Sequence, residues 1–113
     1  MIKVSILYPY REGGRFDFDY YRNVHMPLAA KRFGATLRGW SIDAGINGGP
    51  PDTKPPFVAA GHFVFDSVDA FYAVFTPAVA EELIGDIPNY TDGGNGTIFI
   101  SEIDTLGQVE AAA

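Results

Sequence analysis

Apolar positions recur along this chain with two different periods. In Phe16-Asp-Phe-Asp-Tyr-Tyr-Arg-Asn-Val-His-Met-Pro-Leu28 the spacing is helical. At about 100° per residue, Phe18, Tyr21, Val24, His25, Leu28 and Ala29 share one face, while Asp19, Asn23, Met26 and Ala30 lie on other sides. Asp17 is suited to cap this helix and Asp19 to its first turn. Pro27 predicts a kink, with Met26 pushed out of the α region. The apolar rhythm resumes through Ala30 and Phe33, and Gly34 closes the element. Strands are expected over residues 2–8, 35–46, 57–65 and 97–103, with Gly39 or Gly45 as a candidate bulge in the second. Residues 47–56 are a loop by composition. A second helix opens at Asp66 and breaks at Thr76-Pro77, where threonine caps and proline takes the first helical position. It then runs to Leu83 or Ile84. Residues 86–96 read as loop.

The resulting order, β-α-β-β-α-β, with a weak internal repeat of Phe-Asp helix starts (Phe16-Asp17, Phe65-Asp66), is that of a ferredoxin-like α+β fold. Two helices then cover one face of a four-stranded antiparallel sheet. The third strand, Phe57-Val-Ala-Ala-Gly-His-Phe-Val-Phe65, is uncharged and largely apolar on both alternating sets. A sheet with one wet face should alternate. The bare face is therefore expected to pack on a second copy, as a homodimer.

Composition narrows the function classes. With 113 residues the chain is expected to be one domain over residues 1–106, followed by a 107–113 tail whose Ala111, Ala112 and Ala113 read as a frayed end or cloning scar. A net charge of −6 and a pI near 4.6 argue against a nucleic-acid partner. No apolar run approaches the ~18 residues of a membrane span, and the first residues lack the features of a signal peptide. No membrane association is expected, and a cytoplasmic protein is the simplest reading. The absence of cysteine removes disulfides and thiolate chemistry. The two histidines are far apart, so no metal site is expected. No phosphate loop, Rossmann fingerprint or nucleophile elbow is present, and no cofactor is expected.

Candidate chemistry then centres on His25, which falls in the middle of an inward-turned apolar face. It is either a satisfied core histidine or a group held for proton transfer in a dry pocket. Tyr21, one turn earlier on the same face, is placed to orient it. His62 lies mid-strand beside Ala59, Ala60 and Gly61, and belongs to a pocket or to a dimer interface. Tyr8, Trp40, Tyr72 and Tyr90 carry polar ends that need partners when buried. Phe75 shares a helix face with Tyr72, and Asn89 and Tyr90 sit in a loop fit to shape a pocket mouth. The expected ligand is small and apolar or aromatic.

Four segments together resemble the EthD family, small proteins named for ethyl tert-butyl ether degradation. They are Lys3-Val-Ser-Ile-Leu-Tyr-Pro9, Phe16-Asp-Phe-Asp-Tyr-Tyr-Arg-Asn-Val-His-Met-Pro-Leu28, Gly61-His-Phe-Val-Phe-Asp66 and Ile87-Pro-Asn-Tyr-Thr-Asp92. The resemblance implies a dimeric α/β barrel of two ferredoxin-like subunits. It also places His25 at the position of a first-helix histidine that faces the cavity in several relatives of that superfamily. Those relatives include muconolactone isomerases, polyketide cyclases and cofactor-independent monooxygenases. The resulting expectation is a cofactor-free enzyme moving a proton on a small carbonyl, lactone or phenolic compound in catabolism or secondary metabolism. His25 would be the general acid–base group, and Tyr8, Tyr21 or Tyr90 the donor to a developing oxyanion. Two alternatives stand beside it. One is a binding or accessory protein for an oxidising partner; the other is a cofactor-independent monooxygenase with Trp40 near the reacting phenol.

Overall fold

Alternation along four short strands decides which side chains meet the helices. In the computed structural model, which describes residues 1–108, β1 (Ile2–Pro9), β2 (Gly39–Ala44), β3 (Phe57–Phe65) and β4 (Thr97–Glu102) form one antiparallel sheet of order β2-β3-β1-β4. The run Ala111–Ala113 lies outside the described residues. With the helices between strands one and two and between three and four, this is the ferredoxin-like α+β arrangement. Ile2, Val4 and Tyr8 of β1 and Ala59, Phe63 and Phe65 of β3 point into the core. The opposite set contains Ser5, which pairs with His62, and Leu7, which pairs with Ala60. The phenylalanine set of β3 thus faces the helices, and His62 faces away from them.

The second strand is shorter than the 35–46 expected. Gly34 adopts φ 64, turns the chain, and leads into a 3-10 turn at Gly34–Thr36 before β2 begins. Neither Gly39 nor Gly45 makes a bulge. The one register shift in the sheet ladders of the described residues falls between Tyr8 and Pro9, where proline cannot continue the ladder.

The first helical segment departs most from an ideal wheel. α1 (Phe18–Tyr20) is capped by Asp17, whose side chain accepts from the Tyr20 amide. It passes into a five-residue π turn, Tyr21–His25, closed by the Met26 amide on the Tyr21 carbonyl, and then into α2 (Met26–Phe33). Met26 keeps α geometry at φ −65, ψ −41, contrary to the effect expected from Pro27. The wider turn makes room for the proline ring, and the missing amide falls in the first turn of α2. The extra residue also rotates the helix beyond it. Met26 becomes fully buried, and Val24 is left 44% exposed.

α3 (Val68–Val74) is capped by Ser67 and α4 (Pro77–Asp86) by Thr76, each accepting an amide three residues on. α4 runs beyond Ile84 and continues into a 3-10 turn, Ile87–Asn89. Arg32 ties α2 to α4 through both oxygens of Glu82 at 2.6 and 3.1 Å. No helix among the described residues is long and apolar enough to cross a membrane.

Candidate functional site

Small residues on β3 let large polar aromatics lie against the sheet. Tyr8 pairs with Ala59, and a Cβ on Gly61 would approach the Tyr21 hydroxyl closer than 3.0 Å. Only glycine leaves that space. Tyr21 stacks on His25 with ring centroids 5.4 Å apart and planes 13° from parallel, a contact set by the π turn that holds both. Tyr90 closes the other side, 4.7 Å from the imidazole centroid. Its backbone is pinned at both ends, the amide to the Ile87 carbonyl and the carbonyl to the Asp17 amide. Arg11 and the Arg15 amide both reach Asp92, fastening the two loops together.

Hydrogen bonds join these rings into one line. The Tyr8 and Tyr90 hydroxyls are 2.6 Å apart, and the Tyr90 hydroxyl is 3.5 Å from Nε2 of His25. Nδ1 of His25 lies 2.8 Å from Oδ2 of Asp86. Oδ1 of Asp86 accepts from the Tyr20 hydroxyl at 2.6 Å and the Asn89 amide at 2.9 Å. Burial raises the Asp86 carboxyl pKa, but the bonds from Tyr20, Asn89 and His25 outweigh it and hold Asp86 below its ordinary value. Burial likewise outweighs the pull of Asp86 and lowers the His25 imidazole below its usual range. Tyr8, Tyr21 and Tyr90 are all raised, each chiefly by burial. At neutral pH the line therefore consists of an ionised carboxylate, a neutral imidazole and neutral phenols.

Between sheet and helices lies a cavity of about 210 Å³. Phe33, Phe63, Phe71 and Phe75 supply an aromatic wall, Ile84 and Ile98 stand at a partly open side, and the polar lining is Tyr8, His25 and Asn95. Of the residues singled out from the sequence, His25, Tyr8 and Phe75 border this space. Tyr21 and Tyr90 pack behind them, and Asn89 acts from outside through Asp86. Trp40, Tyr72 and His62 do not line it. Trp40 sits on the edge strand β2 and is 39% exposed, whereas Tyr72 is exposed on α3. His62 bridges Ser5 and Asp43 at 2.7 Å each on the face away from the helices. Those three residue types suit acyl transfer, but Ser5 lies mid-strand with neighbours paired on both sides, leaving no backbone donors for an oxyanion.

Sequence reasoning missed Asp86 and Tyr20. A usable signal existed for Asp86. An acid closing a helix sits at the negative end of its dipole, and such a placement needs a compensating partner. Among the described residues, no group of three or more His, Asp and Glu side chains converges to hold a metal ion.

The class is thus a ferredoxin-like α+β domain with an apolar cavity and a buried, carboxylate-linked histidine. Residues 15–94 match the EthD domain, and the chain belongs to the EthD family. It is similar to an EthD-like protein of Ralstonia eutropha JMP134, with 39% identity over 92% of each chain and a TM-score of 0.85. It is also similar to an EthD family protein of Bacillus halodurans C-125, with 24% identity over 90% of this chain and 97% of that one, at a TM-score of 0.67. HapK of Hahella chejuensis shares the fold, with 14% identity over the full length of both chains and a TM-score of 0.57. No curated protein matches.

Proposed function

We propose that the cavity is the active site of an enzyme that moves a proton on a small, uncharged, largely apolar ring compound, with His25 as the general base. The observation that carries this is the Asp86–His25 pair. The Asp86 carboxylate holds Nδ1 while burial keeps the imidazole neutral, so that Nε2 stays bare and faces the Tyr90 hydroxyl, in a ring that itself borders the aromatic cavity. The chemistry requires no group beyond these side chains.

The almost wholly hydrocarbon lining also favours a second reading, a binding protein in which His25 only hydrogen-bonds its ligand. Substitution of His25 by Gln separates the two. On any compound that the protein binds and turns over, loss of a catalytic histidine lowers kcat by about 10²–10⁴-fold with binding largely kept. Unchanged turnover in His25→Gln would remove His25 as base. Micromolar binding without turnover across isomerisation, cyclisation and oxygen-uptake assays would favour the binding reading.

We further propose that the protein works as a homodimer. Leu7 lies on the sheet face away from the helices, and Phe99, paired with Ser5 on that face, is 57% exposed. An apolar strand face of this kind is stable when covered.

A further inference from the structure

The hydrogen-bonded line beside the cavity has a direction, and the direction selects a ligand. We propose that the Tyr8 hydroxyl presents its lone pair to the cavity, so that the site takes a neutral ring compound through an O–H donor, a phenol or a stable enol, and relays that proton through Tyr8 and Tyr90 to His25. This rests on the reading of the cavity as a small-molecule site.

Direction starts at Asp86. Asn89 can only donate at its amide nitrogen, which meets both Asp86 Oδ1 and, at 3.4 Å, the Tyr20 oxygen. Tyr20 therefore spends its hydrogen on Asp86. An ionised carboxylate accepts at every bond, so the His25 proton is on Nδ1 and Nε2 is bare. A bare Nε2 can only accept, and the hydroxyl facing it is that of Tyr90. With its hydrogen turned to Nε2, Tyr90 offers Tyr8 only a lone pair across 2.6 Å, and the Tyr8 hydrogen is spent in turn. The opposite sense would leave Nε2 without a donor, and buried polar atoms are rarely left unpaired.

A ligand hydroxyl completes this line, whereas a ketone or ether oxygen meets Tyr8 lone pair to lone pair and is left with the Asn95 amide as the side-chain donor in the lining. A carboxylate would do so with its full charge, and the lining holds no lysine or arginine to offset it. The four phenylalanines fit a flat ring, and 210 Å³ suits one or two rings, given that about 150 Å³ accepts benzene. The transfer balances without an oxidant. The ligand O–H breaks as a new Tyr8 O–H forms, the old Tyr8 O–H breaks as a new Tyr90 O–H forms, and the old Tyr90 O–H breaks as N–H forms on Nε2. The products are the ligand's oxyanion and an imidazolium facing Asp86.

The test combines ¹⁵N NMR of the His25 tautomer with binding of 2-naphthol, 2-methoxynaphthalene and 2-acetonaphthone to the full-length protein. The expected result is Nδ1–H at His25 and naphthol binding on the order of tenfold tighter than either acceptor-only analogue. In Tyr90→Phe the Tyr8 hydrogen is released to the cavity and the preference shifts to the ketone. In Tyr8→Phe the three affinities converge. In Asp86→Asn the amide donates to Nδ1, the proton moves to Nε2, and the line reverses, again favouring the ketone. An Nε2–H tautomer in the unsubstituted protein, or equal or ketone-favoured binding there, overturns the donor inference and leaves the cavity reading standing. No binding by any of the three overturns both. The unsubstituted protein alone decides the matter if a variant fails to fold.

Discussion

Gly61→Ala is the most direct test of how the sheet admits the aromatic cluster. The new Cβ would stand closer than 3.0 Å to the Tyr21 hydroxyl, 3.2 Å from the ring carbon that bears it, and 3.5 Å from the Met26 methyl. Restoring ordinary contact requires the ring to withdraw by on the order of 1 Å, against neighbours packed at interior density. Tyr21 is 1% exposed and is stacked on His25 with Tyr8, Phe16 and Tyr90 edge-on or tilted around it, so no free direction is available. Overpacking of this kind costs about 1–3 kcal/mol, offset by ~0.5–1 kcal/mol from the reduced freedom of the unfolded chain. The net loss is about 1–2 kcal/mol, or roughly 4–12 °C in Tm for a domain of this size. A double-mutant cycle with Tyr21→Phe isolates the cause. Without the hydroxyl the closest remaining atom is the ring carbon at 3.2 Å, which needs to give only a few tenths of an ångström. Gly61→Ala should then be near neutral in urea denaturation. An equal cost in both backgrounds, or a Tm within about 1 °C of the parent, would refute the argument.

Stability should fall on mild acidification. The folded state lowers the His25 pKa, so its contribution is fully present above the unfolded value near 6.5 and is lost as pH falls below that, by up to about 1.4 kcal/mol per pH unit. Asp86, also lowered, loses its contribution only at more acidic pH, below the ordinary carboxylate value. Urea midpoints from pH 8 to 4.5 should therefore decline in the parent and flatten in His25→Gln; parallel profiles would contradict the assignment. Sedimentation velocity should give a dimer at micromolar concentration and a shift toward monomer in Phe99→Asp; a monomeric parent would remove the dimer proposal.

The fold was legible because its signals are local. An uncharged apolar run marks β3 to the residue, Asp17 and Thr76 announce helix starts with their own side chains, and Gly34 marks a stop with a backbone few other residues adopt. Where inference slipped, the cause was an interaction outside the window being read. An ideal wheel placed Met26 outward because nothing in the spacing of apolar residues reveals a turn closed five residues apart. The site was half legible. His25 and Tyr8 stand out by type and position, but their partner Asp86 lies 61 residues from His25, in a stretch whose composition reads as loop and which instead ends a helix. Which alternating set of β3 meets the helices, and hence the side of His62, depends on the whole sheet and on no single segment of it.

The π turn gives the first helix an unusual mechanical property: its two ends are out of step by one residue and stay so. Upstream, the phase is set by Tyr21 and His25; downstream, by Met26, Ala29 and Phe33, all deeply buried. Deleting a single residue between Tyr21 and Met26 would restore a regular helix, and one end would have to surrender its seat in the interior. Either the downstream trio would swing outward by about 100°, or the imidazole would swing away from Asp86. Insertions and deletions here are thus read out as rotation rather than length. The segment tolerates substitution on its wet side, at Arg22, Asn23 and Val24, far better than any change in count.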